Sequence, residues 1–234
     1  MTGALTTIGF DADDTLWQNE SFYRVSQDIY FSLLAEHEDR AVLQRHLMAA
    51  KRRNLGLYGF GIKGATLSML EAAISVTQAR VPASVIAQIL AAGQEQLRHP
   101  VELLPHAREV VEHLAADFTL VLITKGDLFD QERKLAESGL SHLFQAVEIV
   151  SDKSRATYEA AFARHGDGPS RAMMVGNSMK SDVRPALEAG AWGVFVPHAL
   201  TWEHEQADAP EGHARFHELP DLGALPALVD AVDR

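Results

Sequence analysis

Ile8-Gly9-Phe10-Asp11-Ala12-Asp13-Asp14-Thr15-Leu16 decides how the rest of this chain is read. The apolar run from Ala4 to Phe10 predicts a buried strand, and it delivers Asp11, Asp13 and Asp14 at its C-terminal end. Buried charge is costly unless a partner compensates it. A carboxylate cluster at a strand tip is therefore either the start of a turn, where Asp is an ordinary capping residue, or a site that holds a cation. In an open α/β sheet, ligands bind beyond the carboxyl ends of the strands. Asp11 and Asp13 can share one divalent ion there while one attacks and the other moves a proton.

Downstream of this stretch the pattern turns helical. Apolar residues spaced by three and four predict helices near Ser21–His37, Asp39–Leu55, Lys63–Gln78 and Pro82–Leu97. The glycine-rich segment Leu57–Gly64 reads as a flexible connection, and it lacks the preceding strand and the spacing of a nucleotide-cradling loop. After Pro105 the rhythm changes. Phe118–Thr124 is a near-continuous apolar run, typical of a strand covered on both faces. Ala146–Val150, Ala172–Val175 and Gly193–Val196 read as further strands, with helices at Leu128–Glu137, Arg155–Arg164 and Asp182–Ala189 between them. Gly190 suits the C-cap of the last helix. Strands alternating with helices predict an α/β fold, a Rossmann-like and mostly parallel sheet covered on both sides. Residues 1–16 and 101–234 would form that core, and residues 17–100 an inserted all-helical domain. The polar, histidine-rich tail from His198 to His217 carries no clear pattern.

Composition narrows the function. The 234 residues suffice for a full core and a smaller second domain. With 21 Lys+Arg against 32 Asp+Glu the net charge is −11, which argues against a nucleic-acid partner. A small anionic substrate remains compatible, because a metal and one lysine reverse the sign locally. The absence of cysteine excludes thiolate metal sites, disulfides and thiol catalysis. No apolar stretch is long enough to span a bilayer and no signal segment is evident, so the expectation is a cytoplasmic protein with no membrane partner. Oligomeric state is not legible.

Each strand of the core ends in chemistry suited to a metal-bound phosphate. The first delivers Asp11 and Asp13, and the second Thr124-Lys125-Gly126. Ser151-Asp152-Lys153-Ser154 follows Val150, and Gly176-Asn177-Ser178 with Asp182 follows Val175. With these four clusters in order, the chain resembles the phosphatase part of the haloacid dehalogenase superfamily. Phe10–Leu16, Thr124 with Lys125-Gly126, Lys153, and Val175–Ser178 with Asp182 carry its four motifs. The helical insertion stands where that family has a helical C1-type cap. The resemblance implies a Mg2+-dependent phosphomonoesterase acting on a small phosphorylated metabolite. It makes Asp11 the nucleophile that forms an aspartyl-phosphate. Asp13 becomes the acid/base, its backbone carbonyl on the metal. Thr124 holds phosphoryl oxygens, Lys153 neutralises charge, and Asn177 and Asp182 complete the metal site. The physics agrees, since a carboxylate attacks a phosphate dianion only beside cations, and Mg2+ takes oxygen ligands.

Two positions depart from the family pattern. Asp14 stands where a small residue is usual, adding negative charge. Asn177 stands where an aspartate ligand is usual, so weaker Mg2+ affinity is expected.

Each residue also has a structural reading. Lys153 alone resembles any solvated lysine, Thr124 ends a β run as threonine often does, Asp182 suits a helix N-cap, and Ser178 suits a cap. His198, His204, His213 and His217 match no closed zinc site. Trp17, Phe22, Tyr23, Tyr58 and Phe60 are as well explained by packing as by a substrate cleft. Three functions stand behind the phosphatase. A phosphomutase shares its core, a 2-haloacid dehalogenase needs neither metal nor Asp13, and a non-catalytic phospho-ligand binder would rest on Asn177 alone.

Overall fold

The protein is described by a computed structural model over residues 4–200, 202 and 205–233. Within these bounds a six-stranded sheet forms, β1 Thr7–Phe10, β2 Thr119–Lys125, β3 Ala146–Val150, β4 Ala172–Gly176, β5 Trp192–Phe195 and β6 Phe216–Glu218. Every adjacent pair is parallel, in the order β3-β2-β1-β4-β5-β6. The apolar runs at β1, β2 and β4 have the burial expected of strands covered on both faces, with Ile8, Phe10, Val121, Leu122, Met173 and Met174 essentially inaccessible. The chain steps from β1 to β2 and β3 on one side, then crosses to β4, β5 and β6 on the other. The order therefore reverses between β1 and β4, which is where an open parallel sheet leaves a crevice.

The helices are α1 Glu20–Leu34, α2 Arg40–Tyr58, α3 Ile62–Val76, α4 Ala83–Arg98, α5 Ala107–Leu114, α6 Leu128–Ser138, α7 Arg155–His165, α8 Arg184–Glu188 and α9 Leu225–Val232. The chain divides into two compact units. The first contains residues up to Glu20, Val101–Lys125 and Gln131–Arg234, the second Ser21–Pro100 with Gly126–Asp130. The first holds the sheet, and its main cluster packs Ile8, Phe10, Leu16, Trp17, Val111, Leu122, Val175 and Leu225. The second packs Tyr30, Leu34, Leu43, Leu47, Met69, Ala73 and Ile89 from four helices into its own core. This is the Rossmann-like parallel sheet with an inserted all-helical domain that the sequence predicts.

Three local expectations need correction. Leu57–Gly64 is not a long flexible connection, since helix runs to Tyr58 and resumes at Ile62. Only Gly59-Phe60-Gly61 turns, with Gly59 and Gly61 at φ 70° and 115°, angles that glycine adopts without a Cβ penalty. The single helix expected from Asp182 is instead a π turn, Met179–Val183, leading into the short α8. Its wide ring is closed by the Val183 N–H on the Ser178 carbonyl, and such turns recur at functional sites. Asp182 accordingly lies inside the turn and is not its cap. The Ser178 hydroxyl caps instead, accepting from the Ser181 N–H at 2.9 Å. The formless tail contributes β6, whose short strand leaves too little periodicity to read.

Candidate active site

Asp11 follows β1 directly, and its N–H donates to the Val175 carbonyl of β4 at 2.9 Å. The nucleophile candidate is thereby placed at the β1–β4 reversal point. Register puts the ends of the neighbouring strands at the same level, Phe10 opposite both Leu122 and Val175. The last residues of β2, which carry Thr124, and the turn after β4, which carries Asn177, consequently flank Asp11 on either side. Lys153, in the loop after β3, reaches in by its length. Its Nζ lies 2.5 Å from Asp11 Oδ1 and 2.6 Å from Asp182 Oδ1, with all three side chains buried.

Two buried carboxylates thus share one ammonium. Burial raises the proton affinity of Asp11, pushing its pKa up to about 7; the Asp182 charge adds to this and Lys153 opposes it. For Lys153 itself burial works against the charge, but Asp11 and Asp182 outweigh it and hold the pKa above the usual lysine value. The second oxygen of Asp182 accepts from the Ser178 N–H at 2.9 Å. That return path requires Gly176, because a Cβ there would run into the Asp182 carboxylate. Tyr158 of α7 closes the underside, its buried hydroxyl donating to the Ser181 carbonyl at 2.9 Å.

The other oxygen of Asp11 faces a different group. The Thr15 hydroxyl is 3.1 Å from Asp11 Oδ2 and 3.4 Å from Asn177 Oδ1. Two hard oxygens from β1 and β4 therefore converge around one hydroxyl, on the side of Asp11 away from Lys153. This donor set suits Mg2+, which prefers oxygen ligands. Asp182 is turned to Lys153 and Ser178.

Asp13 points into a separate set of donors. Trp17 Nε1 lies 2.8 Å and Lys134 Nζ 2.6 Å from its Oδ1, and Gln131 Nε2 lies 3.2 Å from its Oδ2. The same Gln131 amide donates to Thr124 Oγ1 at 2.7 Å and to the Lys125 carbonyl at 2.9 Å. Lys125 in turn extends to Ser181 Oγ at 2.7 Å and Glu205 Oε1 at 2.8 Å. Glu205 also accepts from the hydroxyls of Ser178 and Ser181. Burial would raise the Glu205 pKa, yet Lys125 and these hydroxyls bring it down to about 2.

All of Asp11, Asp13, Thr124, Lys153, Asn177 and Asp182 therefore gather at one end of the sheet. Sequence reasoning missed Gln131, Lys134 and Glu205. A signal for the first two exists. Gln131, Lys134, Leu135 and Ser138 are spaced as the buried stripe of α6, so Gln131 and Lys134, with Ser138, put three polar residues where a helix of this kind carries apolar ones. Glu205 had no such signal in an irregular segment.

Asp14 acquires a structural role. It adopts φ 59°, a conformation Asp tolerates better than most residues, and its carboxylate accepts from the N–H groups of Asn19 and Glu20 at 2.9 and 3.0 Å. It thus satisfies free donors at the start of α1. Burial pushes its pKa up to about 6, against these bonds and His198 at 3.7 Å. His213 accepts from the Arg215 N–H, His217 stacks on Trp192, and His204 lies outside the described residues. Trp17 is buried in the core of the first unit. In the second, Phe22 packs against His99 with the rings tilted, Lys51 lies over Tyr23, and Tyr58 is exposed.

Comparison with known proteins agrees with this arrangement. A family described as haloacid dehalogenase-like hydrolase matches residues 5–190. A solved haloacid dehalogenase-like family hydrolase from Xanthomonas campestris is 44% identical with a TM-score of 0.88, over 98% of this chain and 92% of that one. The glyceraldehyde 3-phosphate phosphatase of Methanothermobacter thermautotrophicus is 23% identical over 238 residues, 96% of this chain and 100% of the relative. A 2-haloacid dehalogenase from Pseudomonas syringae pv. Tomato DC3000 is 22% identical with a TM-score of 0.64, over 97% of this chain and 99% of that one, a likeness of fold alone. A match running from β1 through α8, over a parallel sheet whose loops gather the four motifs, places this chain in the haloacid dehalogenase-like hydrolase family.

Proposed function

We propose that this hydrolase cleaves phosphomonoesters of small metabolites. The observation that carries the reading is the presence of two carboxylates on one loop in different settings. Asp11 is buried against Lys153 and Thr15, whereas Asp13 is partly accessible and held by Trp17, Gln131 and Lys134. Dehalogenation needs the first and has no use for the second. Ester hydrolysis needs both, because the departing alcohol must gain a proton and the water must lose one.

In this reading Asp11 attacks phosphorus and forms an aspartyl-phosphate, while Asp13 protonates the leaving oxygen. Asp13 then takes a proton from the water that attacks the intermediate. Lys153 keeps Asp11 oriented and offsets charge as the anionic substrate approaches, and Thr124 with the following N–H holds phosphoryl oxygens. Asp182 holds Lys153. Asp11, the Asp13 carbonyl and Asn177, supported by Asp182, would hold Mg2+, which when bound supplies the positive charge that a carboxylate nucleophile needs. The helical residues 17–100 would serve as the cap that selects substrate and excludes water. A small phosphorylated metabolite is the proposed partner, its negative charge met locally by Lys153 and the metal against a net charge of −11 that disfavours nucleic acid, and no described helix is long and apolar enough to cross a membrane. The proposed location is the cytoplasm.

The test is phosphate release from an aryl phosphate and a panel of metabolite phosphates, with and without Mg2+, for wild type and Asp11→Asn. Metal-dependent release lost in the variant supports the reading. Metal-independent halide release from a 2-haloacid, with no phosphate from any ester, would replace it with dehalogenation.

A further inference from the structure

We propose that Lys134 is the positioning residue for Asp13, fixing the carboxylate that carries the proton to and from the reacting oxygens. This inference rests on the phosphatase reading of Asp13 and extends it to a residue outside the four motifs. Lys134 is 8% exposed, and its ammonium reaches Asp13 Oδ1 at 2.6 Å across 121 residues of sequence. A lysine at a buried helix position loses hydration, and a buried ion pair returns little net stability compared with an apolar pair of similar volume. Leu135, beside it on α6, joins the apolar core in the ordinary way. Stability alone therefore gives no reason for a charge at 134.

Orientation does give one. Lys134 and Trp17 converge on Oδ1 while Gln131, one helical turn before Lys134, takes Oδ2. Donors on both oxygens leave the carboxylate little freedom to rotate. The same Gln131 amide also holds Thr124, so the proton carrier and the candidate phosphate-binding hydroxyl are tied to one face of α6. Proton transfer requires the carrier within hydrogen-bond reach of the leaving oxygen, and misplacement by about 1 Å costs on the order of 100-fold.

Leaving-group dependence tests this. Substituted phenyl phosphates keep nearly the same shape while the leaving oxygen becomes more basic. A nitrophenolate departs without protonation, whereas phenolate with no withdrawing group benefits from it. Wild type, Asp13→Asn, Lys134→Met, Lys134→Gln and Lys134→Arg would be compared by kcat/KM across the series with Mg2+, with circular dichroism and melting to verify the fold. Two neutral variants keep the test readable if one fails to fold. The expected result is that Lys134→Met and Lys134→Gln lose about 10- to 100-fold on phenyl phosphate and less than about 3-fold on nitrophenyl phosphate. Asp13→Asn should show the same selectivity more strongly, and Lys134→Arg should restore much of the loss. A uniform loss across the series, or none, in the folded Lys134 variants beside a selective loss in Asp13→Asn overturns the role of Lys134 and leaves the phosphatase reading intact. An Asp13→Asn variant with no selective loss overturns the assignment of Asp13, and this inference with it.

Discussion

The helical segment 21–100 and the sheet unit both bury polar groups, but groups of different charge. In the helical segment the buried polar side chains are Ser26, Asn54, Thr66, Ser68 and Thr77, all neutral. Three of these bond back into their own helix, Ser26 to the Phe22 carbonyl, Ser68 to Gly64 and Thr77 to Ala73, although Ser26 also reaches Gln96 of α4 at 2.7 Å. The sheet unit buries Asp11, Asp14, Lys134, Lys153 and Asp182. Apart from Asp14, whose bonds are local, these charges pair with residues remote in sequence, as Lys153 with Asp11 and Lys134 with Asp13. A hydroxyl that bonds four residues back needs only its helix. Charges assembled from four strand-end loops need the whole sheet, and their desolvation is an outlay that packing alone does not demand. The contrast separates polar groups that serve the fold from those that serve a site.

The largest effect that would break this comparison is at Asp11. Asp11→Asn should lower phosphate release by about 10⁴-fold or more, with little loss of stability. Retained turnover would mean that the buried cluster is structural after all. Next is Lys153→Met, which leaves Asp11 and Asp182 buried without their ammonium and should destabilise by about 3–5 kcal/mol in urea unfolding. An unchanged midpoint would show that the two carboxylates are compensated in another way.

Glu205 extends the comparison to acid. Its pKa is about 2 against an ordinary 4.5, so its bonds stabilise the fold above the unfolded value and are lost as the pH falls from about 4.5 towards 2. Glu205→Gln should remove about 2–3 kcal/mol of that acid-limb dependence. Urea midpoints measured in parallel for wild type and variant through this range would reveal its size.

Smaller still, Asn177→Asp adds a charged oxygen beside Asp11. It should lower the Mg2+ concentration needed for half-maximal phosphate release by about 10-fold, or about 1.4 kcal/mol. Identical metal titrations would remove Asn177 from the proposed ligand set. The smallest effect belongs to the helical segment, where the Tyr30 hydroxyl is buried with no hydrogen-bond partner among the described residues. Tyr30→Phe should leave stability unchanged or raise it by up to about 1 kcal/mol. A clear loss would point to an unrecognised polar role in this unit.

Much of the molecule was legible beforehand. β3 begins and ends where the sequence reading places it, at Ala146 and Val150, and α1 to α4 lie within a few residues of their apolar periodicity. Helical and strand periods are local, so a single chain displays them. The residues of the four motifs were legible for a related reason, since each stands at the end of a strand whose boundary is itself readable. The π turn at Met179–Val183 was not, because it is set by a backbone bond, Val183 N–H to the Ser178 carbonyl, that side-chain periodicity does not signal. Nor was the role of Asp14, whose partners Asn19 and Glu20 are near in sequence but meet it only through its positive φ.

The sequence by itself determined the kinds of element, their order and the chemistry stationed at each strand end. Hydrophobic periodicity and side-chain type are properties of the chain and survive without a fold. Only the tertiary structure decided which of those groups meet. It placed Lys153 between Asp11 and Asp182, Thr15 between Asp11 and Asn177, and α6 so that Gln131 and Lys134 reach Asp13. Such pairings depend on strand order and loop path, because a charge finds its partner by distance in space, and the sheet topology sets that distance.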